Sequence, residues 1–343
     1  MAAKRVRKPK KISLALQGGG SHGAFTWGVL DWLLETEALE IDKISGTSAG
    51  AMNAAVLADG LVEGGPEGAR KALERFWRSV SLLGQGSPFQ RTPLDIYFDS
   101  WNLDHSPVYV SWDVTSRVLS PYQLNPLNIN PLEELVRDQI DFGRVQTCQD
   151  LEVYVAATNV RTGKIKIFGR EELTAEALLA SACIPTIYQA VEIDGEAYWD
   201  GGYMGNPPLF PLFPKGGITD VVLIQVNPVK REELPTTAQE ISERLNEITF
   251  NSTLLRELRA IAFVSRLIDE GRLSNNDYSQ VHMHRIEASE DLIPFGASSK
   301  LNPQWAFLKR LFNIGRASAE KWAAEHFDAI GERSSLNLEK EIM

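Results

Sequence analysis

Two strand–turn–helix units near the start of the chain constrain its fold most. The segment "KISLALQ" (11–17) is typical of a short buried strand, and after a glycine cluster "AFTWGVLDWLLE" (24–35) has the apolar spacing of a helix. The apolar run "IDKISGTS" (41–48) and the small-residue helix "AGAMNAAVLADG" (49–60) repeat this order. Strands that alternate with helices predict an α/β fold, with a mostly parallel central sheet and helices on both faces.

Later segments extend the same pattern and end in a helical C-terminal region. We predict further strands at 151–160, 163–169, 196–200, 218–228 and 280–288. We predict a helix that ends before Pro185, an amphipathic helix from about Thr236 to a stop at Gly271, and two last helices broken at Gly315.

The stretch 76–131 has a different composition. Proline recurs in it, so regular elements alone do not account for it. Aromatic side chains are spread through it, among them Trp77, Tyr97, Phe98, Trp101, Tyr109, Trp112 and Tyr122. It could cover or line a pocket, or it could be a loop-rich region that packs for stability. Asn130 and Pro131 have the pattern of a helix N-cap and first helical residue.

Composition excludes several classes of protein. The 343 residues are 43% apolar and 23% charged, which is ordinary for a globular chain with a sizeable core. No apolar run approaches the ~20 residues that span a bilayer, and the basic N-terminus lacks the pattern of a secretory signal. Cys148 and Cys183 lie in unrelated contexts, so we expect no disulfide framework and a cytoplasmic setting.

The charge distribution bears on the partners. The formal net charge is −10, although six Lys or Arg lie within residues 1–11. The acidic body argues against nucleic acid as the main partner. The basic segment could make peripheral contact with an anionic membrane at roughly 1 kcal/mol per charge, but we favour a disordered, solvated tail. The sequence predicts no oligomeric state.

The segment "GGGSHG" (18–23) follows the first strand and opens a helix. Its spacing fits the dinucleotide-binding fingerprint Gly-x-Gly-x-x-Gly. That function needs an acidic residue at the end of the next strand, but Glu40 and Asp42 precede the strand run, which ends in "GTSAG". We therefore favour a different anion as the ligand of this loop.

The anion that we favour is the oxygen of a tetrahedral intermediate in acyl transfer. Glycines let backbone N–H groups face a ligand, and each fixed donor can lower the barrier by ~3 kcal/mol. The backbone of Gly18, Gly19 and Gly20 is our candidate oxyanion hole. Gly23 would permit close helix packing.

The segment "GTSAG" has the pattern Gly-x-Ser-x-Gly between a predicted strand and a predicted helix, which is the arrangement of a nucleophile elbow. Gly46 and Gly50 would relieve crowding at this strained turn, so Ser48 is the candidate nucleophile. None of the histidines has the loop context of its general base; they are His22, His105, His282, His284 and His326.

Asp200 has the context that the histidines lack. It ends the predicted strand "EAYW" and begins "DGGYMGNPP", where Gly201 and Gly202 follow directly. Catalytic groups of a parallel sheet collect at the ends of its strands. Asp200 is therefore our candidate acid–base residue.

The segments "GGGSHG", "GTSAG" and "DGGYMGNPP", in this order, resemble the motifs of the patatin-like phospholipases. "SACIPTIY" (181–188) also resembles the family's segment ahead of the aspartate. The resemblance covers roughly residues 12–228 and implies a serine lipid acyl hydrolase with a Ser–Asp dyad and no catalytic histidine. Ser48 would be the nucleophile and Asp200 the base.

The resemblance also implies a domain organisation. We expect a basic tail (1–11), a patatin-like catalytic domain (12–228) and a mainly helical C-terminal extension packed on it (229–343), as in bacterial relatives. The family's glycine loop commonly has Arg or Lys where this chain has His22. Backbone donors do not depend on this side chain, but the loss of a fixed positive charge argues against a preference for strongly anionic headgroups.

The expected chemistry needs no cofactor and no metal. Ser48 attacks an ester carbonyl, Asp200 accepts its proton, and water hydrolyses the acyl-enzyme. A dry pocket could raise the pKa of Asp200 above the usual value of ≈ 3.9. The expected partner is a lipid or acyl-ester substrate. The alternatives are a soluble esterase or thioesterase for short acyl groups, or an inactive regulatory hydrolase fold, which the intact motifs oppose.

Overall fold

A computed structural model describes residues 9–342 and shows one central sheet of eight strands. The strands are β1 (Lys10–Leu16), β2 (Leu39–Gly46), β3 (Glu152–Asn159), β4 (Ile165–Gly169), β5 (Val191–Ile193), β6 (Glu196–Asp200), β7 (Gly217–Ile224) and β8 (Ser279–Ile286). Their order across the sheet is β5-β6-β3-β2-β1-β7-β8, and β4 also pairs with β3.

The helices surround this sheet. They are α1 (Gly23–Thr36), α2 (Ala49–Gln85), α3 (Pro93–Tyr97), α4 (Pro107–Ser116), α5 (Pro121–Leu124), α6 (Pro131–Gln139), α7 (Phe142–Thr147), α8 (Ala175–Ser181), α9 (Ala238–Asp269), α10 (Ser289–Leu292), α11 (Trp305–His326) and α12 (Leu338–Ile342). Short 3-10 turns lie at Gly20–His22, Arg170–Glu172, Gly201–Tyr203, Phe210–Leu212, Ala297–Leu301 and Phe327–Ala329.

The sheet confirms the predicted fold class. Strands β3, β2, β1, β7 and β8 are parallel, whereas β4, β5 and β6 pair in antiparallel fashion. Successive side chains of a strand point to opposite faces. Accordingly, Leu14 and Leu16 of β1 belong to one hydrophobic cluster with α1, α2 and α11, and Ala15 belongs to a second cluster with α9.

The first strand begins within the segment that we assigned to a basic tail. Lys10 and Lys11 are part of β1, and Nζ of Lys10 donates hydrogen bonds to the carbonyl oxygens of Phe327 (3.0 Å) and Ile330 (2.7 Å). The predicted tail 1–11 is therefore too long at its C-terminal end. Its remaining basic residues, within 1–8, lie outside the described residues.

The C-terminal region is built into the same sheet. Strand β8 pairs in parallel with β7 over Gly217–Ile224, so the predicted division at residue 228 falls within one continuous sheet. The predicted break at Gly315 is wrong, because α11 continues through it. Gly315 instead allows a close helix crossing, since a Cβ there would overlap the carbonyl oxygen of Phe25 in α1.

The stretch 76–131 is more regular than its prolines suggest. Helix α2 continues to Gln85, with a kink at Gly64 and Gly65. Four helices, α3 to α6, each begin with a proline at the first helical position, where its missing N–H costs nothing. The predicted N-cap at Asn130 is confirmed, because its side chain accepts a hydrogen bond from the N–H of Leu132.

Aromatic side chains in this stretch have different environments. Tyr97 and Phe98 are 81% and 73% exposed, whereas Trp77 is buried. The Trp101 ring stacks on Phe307, with 5.3 Å between ring centroids. Trp101 therefore packs against the core. That this stretch covers or lines a pocket stays a prediction, and it depends on the other residues of the stretch.

Two further observations concern the class of protein. Within residues 9–342, no helix combines the length and apolarity needed to cross a bilayer. Cys148 and Cys183 are both buried free thiols.

Candidate active site

Strand register brings Ser48 and Asp200 to the same edge of the sheet. Gly46, two residues before Ser48, pairs with Val155 of β3. Asp200 pairs with Ala157, two residues further along β3. Strand β6 runs antiparallel to β3. This differs from our expectation that Asp200 ends a strand of the parallel sheet. Because the two strands pair over only three residues, Asp200 still lies at the carboxyl edge, level with Ser48.

Ser48 lies in a strained elbow between β2 and α2. Its φ of 54° and ψ of −122° are rare for a residue with a side chain. A Cβ at Gly46 would overlap the backbone of Gly50, and a Cβ at Gly50 would overlap the carbonyl oxygen of Leu16. Both glycines are therefore needed for this turn, as the Gly-x-Ser-x-Gly pattern indicated.

Asp200 lies in a dry environment beside Ser48. Its side chain accepts a 2.7 Å hydrogen bond from the N–H of Gly202, and the residue is 3% exposed. Burial raises the pKa of Asp200 to about 7, although hydrogen bonds from Gly202 and the Ser48 hydroxyl lower it. A carboxylate with a pKa near neutral is better matched to accept a serine proton than an ordinary aspartate is.

One short segment positions both residues. The hydroxyl oxygen of Ser181, at the end of α8, accepts a hydrogen bond from the backbone N–H of Ser48 (2.9 Å). Two residues later, the carbonyl oxygen of Cys183 accepts one from the N–H of Asp200 (2.8 Å). We noted "SACIPTIY" only as a resemblance and missed the role of Ser181. The signal was its position in that segment, ahead of the aspartate.

The glycine loop lies directly against the elbow. A Cβ at Gly18 would be 2.8 Å from the Cβ of Ser48, so any larger residue would displace the serine. Likewise, a Cβ at Gly23 would be 2.7 Å from that of Ala49, the first residue of α2. The expected close packing at Gly23 is thus present.

The three predicted oxyanion donors are not equivalent. The N–H of Gly18 donates a 2.7 Å hydrogen bond to Oδ1 of Asn206, so this group is engaged and its expected role needs correction. The N–H groups of Gly19 and Gly20 lie at the start of the 3-10 turn Gly20–His22, where the turn itself provides no acceptor. These two groups remain the candidate donors, and Gly18 anchors the loop.

Buried amides hold the loop from behind. Oε1 of Gln17 accepts hydrogen bonds from the N–H groups of Val226 (3.0 Å) and Asn227 (2.9 Å). Nδ2 of Asn227 donates to the carbonyl oxygen of Gly18 (2.7 Å). Asn206, which belongs to the "DGGYMGNPP" segment, and Asn227 were not among our predicted site residues, because their partners are about 200 residues away in the chain.

His22 is neutral in this loop. It is buried, its Nε2 lies 2.7 Å from the Ser299 hydroxyl oxygen, and burial together with nearby Lys300 lowers its pKa to about 3. The positive charge instead comes from the C-terminal region. Nζ of Lys300 donates a 2.7 Å hydrogen bond to Oδ1 of Asn227, and the Lys300 backbone contacts Gly20.

The glycines after Asp200 also make close contacts. A Cβ at Gly201 would overlap the carbonyl oxygen of Ala156 in β3, and one at Gly202 would overlap the ring of Phe250 in α9. Helix α9 therefore packs directly on the Asp200 turn. Larger residues at either glycine would move the candidate base.

The late histidines belong to a different network. Nε2 of His284 lies 2.9 Å from Oδ1 of Asp220, and its Nδ1 lies 2.9 Å from the Ser335 hydroxyl oxygen. Nδ1 of His282 lies 3.5 Å from the same Asp220 oxygen. His326 lies at the end of α11, next to Glu325. Among residues 9–342, no group of His, Cys, Asp and Glu has a metal-binding arrangement.

Comparison with known proteins gives a family match. The sequence model described as patatin-like phospholipase matches residues 14–213, more than half of the chain. Comparison with curated protein sequences found no match.

Two solved structures of bacterial proteins show distant similarity. VipD from Legionella pneumophila is 14% identical, with a TM-score of 0.43 over 93% of this chain and 67% of that chain. ExoU from Pseudomonas aeruginosa, solved in complex with SpcU, is 17% identical, with a TM-score of 0.36 over 91% of this chain and 53% of that chain. The chain thus spans about two thirds of VipD and half of ExoU.

Proposed function

The chain belongs to the patatin-like phospholipase family, and we propose that it hydrolyses lipid acyl esters through a Ser48–Asp200 dyad. The family is one of lipid acyl hydrolases, so the reaction class follows from membership. The observation that supports the dyad is the strained Ser48 beside a buried Asp200 whose pKa is raised to about 7. Serine hydrolysis needs such a pair, a nucleophile and a base in hydrogen-bond contact.

The proposed reaction begins with attack of Ser48 Oγ on the ester carbonyl. The serine proton passes to Asp200, and the carbonyl oxygen becomes an oxyanion near the N–H groups of Gly19 and Gly20. When the intermediate collapses, the ester C–O bond breaks and Asp200 returns the proton to the leaving alcohol. An acyl group now remains on Ser48.

Deacylation repeats these steps with water. Asp200 accepts a proton from the water that attacks the acyl carbonyl, and the bond from the carbonyl carbon to Ser48 Oγ breaks. Asp200 then returns the proton to Ser48, and the fatty acid leaves. Each half-reaction therefore uses the same base and the same donors.

Labelling with a fluorophosphonate probe tests the nucleophile directly. We expect wild-type protein to be labelled at Ser48, and Ser48→Ala to be unlabelled and inactive on phospholipid and on synthetic esters. Ser116→Ala is a matched control, because that hydroxyl donates only to Asp113 within its own helix. Labelling that persists in Ser48→Ala would identify a different nucleophile.

The same assays separate the dyad from a triad. Asp200→Asn should lose nearly all activity, and the double variant with Ser48→Ala should be little worse than either single variant, because the two residues act as a unit. If His284→Asn or His282→Asn in folded protein abolished hydrolysis while Asp200→Asn did not, the dyad would be wrong. A chain-length series of esters distinguishes a lipid hydrolase from a short-chain esterase or thioesterase.

A further inference from the structure

The outer face of α9 presents a stripe of exposed apolar and basic side chains. At 3.6 residues per turn, one side of the helix collects the residues that we call the α9 stripe: Ile241, Leu245, Ile248, Arg256, Arg259 and Phe263. The four apolar members are between 45% and 60% exposed. The acidic residues of α9 lie outside this stripe.

The inner face of the same helix contacts the candidate active site. Leu254 and Leu258 are buried in the hydrophobic cluster on that side of the sheet. Phe250 lies against Gly202 in the Asp200 turn, and Oδ1 of Asn251 accepts a 3.1 Å hydrogen bond from Gln17, which precedes the glycine loop. The stripe thus points away from the body, about one helix diameter (~10 Å) from residues that position the site.

Two arginines of the stripe have no acidic partner. Other arginines of α9 are paired, Arg244 with Glu247 (3.1 Å) and Arg266 with Glu270 (4.0 Å). Arg256 and Arg259 form no ion pair with any residue within 9–342. Both line a cleft of about 300 Å³ together with apolar Ile248 and Leu255.

The combination of exposed apolar side chains and unpaired arginines favours one kind of partner. Unpaired cations attract anionic groups, although the whole chain has a formal net charge of −10. Exposed Ile241, Leu245 and Ile248 gain free energy only if an apolar medium covers them. A lipid surface with anionic headgroups offers anionic groups and an apolar medium within a few ångströms of each other. A symmetric contact with a second copy would instead bring like-charged arginines together.

We propose that the α9 stripe docks on a lipid surface that contains anionic headgroups and so holds the active site near its substrate. The proposal rests on the proposed function for the choice of a lipid partner. The apolar residues insert between headgroups, and Arg256 and Arg259 contact phosphate or carboxylate oxygens. The acyl chemistry at Ser48 is not altered by this contact.

Vesicle cosedimentation of the full chain tests the proposal without hydrolysis if Ser48→Ala is the background. We expect stronger binding to phosphatidylcholine vesicles that contain phosphatidylserine than to phosphatidylcholine alone. Arg256→Gln with Arg259→Gln should weaken binding to the anionic vesicles about thirtyfold, from roughly 1 kcal/mol per charge. Leu245→Ser with Ile248→Ser should weaken it at low and at high salt.

Lys164→Gln with Arg333→Gln is the matched control, because it removes two exposed charges that lie outside the stripe. If the control double variant lost as much vesicle binding as the Arg256→Gln, Arg259→Gln variant, the proposal would be overturned. Absence of binding to anionic vesicles by Ser48→Ala would also overturn it. If the stripe variants altered only self-association, measured by sedimentation, the face would be an interface between copies.

Hydrolysis of a monomeric ester separates this proposal from the proposed function, provided that the stripe variants are made in protein that retains Ser48. The stripe variants should retain it, since none of their residues contacts the site. Absent hydrolysis with intact vesicle binding would contradict the dyad alone. Intact hydrolysis with vesicle binding that the stripe variants do not change would contradict the docking alone.

Discussion

The hydroxyl oxygen of Ser181 accepts a 2.9 Å hydrogen bond from the backbone N–H of Ser48. This bond is made from outside the elbow, by the end of α8, and it helps to hold a backbone conformation that is strained for serine. Its loss would leave the Ser48 N–H without this acceptor. Ser181 is therefore a positioning residue for the candidate nucleophile.

We predict that Ser181→Ala lowers kcat for ester hydrolysis by roughly tenfold to a hundredfold, because small misplacements of a reacting group have effects of this size. KM should change little, since Ser181 acts through Ser48. Steady-state kinetics on a monomeric ester measures both. Ser181→Thr, which keeps the acceptor, should recover part of the rate if Thr fits the buried site, and an unchanged kcat in Ser181→Ala would remove this role.

We predict an acid limb in the pH profile of kcat/KM. Burial raises the pKa of Asp200 to about 7, and the base must be deprotonated to accept the Ser48 proton. The rate should therefore rise about tenfold per pH unit at low pH and level off above about pH 7. A midpoint near pH 4, where an ordinary aspartate titrates, would contradict a dry environment for Asp200.

The same pKa predicts an effect of Asp200→Asn on stability. A carboxyl group whose pKa is raised by folding contributes stability below its unfolded value of 3.8, and this contribution is lost as pH rises through about 7. At pH 8 the folded protein contains a buried charge that Asp200→Asn removes. The variant should then gain about 4 kcal/mol relative to wild type, because each pKa unit between 3.8 and about 7 corresponds to ~1.4 kcal/mol, and this gain should shrink as pH falls towards 4.

Thermal melting at pH 8 and pH 5 measures this difference. Asp113→Asn is a useful control, because Asp113 is partly exposed and forms an ion pair with Arg117 at the surface. The effect of Asp113→Asn on Tm should be small at both pH values. A gain for Asp200→Asn that did not fall at lower pH would show that another cause, such as packing, explains it.

A fourth prediction concerns the charge that Lys300 brings to the glycine loop. Through Asn227 its ammonium group is linked to the carbonyl oxygen of Gly18. Lys300→Met should lower kcat about tenfold or more with a smaller effect on KM, because a preorganised donor network supports the oxyanion. Lys300→Arg should retain more activity than Lys300→Met.

The pH dependence separates electrostatics from packing in that experiment. Burial lowers the pKa of Lys300 below its usual value, so wild-type activity should fall as rising pH removes the proton from the ammonium group, at a lower pH than for an exposed lysine. Lys300→Met should lack this alkaline limb. A variant that loses activity equally at every pH, with the limb intact, would indicate a role for Lys300 in packing only.

Local signals in the sequence predicted most elements and indicated the two central residues of the candidate site. The Gly-x-Ser-x-Gly pattern identified the Ser48 elbow, because the crowding that requires Gly46 and Gly50 arises within five residues. Apolar periodicity predicted β1, β7 and β8 to within a few residues for the same reason. The proline pattern of 76–131 misled us, since proline begins a helix as well as it interrupts one.

Only the tertiary structure decided what surrounds these residues. Asp200 reaches the site on an antiparallel strand, and the N–H of Gly18 is occupied by Asn206. The charge beside the glycine loop comes from Lys300, and Gly315 crosses α1 where a helix break was expected. Each of these contacts joins residues that are far apart in the chain. Spacing and periodicity describe neighbours along the chain, whereas such contacts depend on how strands pair and helices pack.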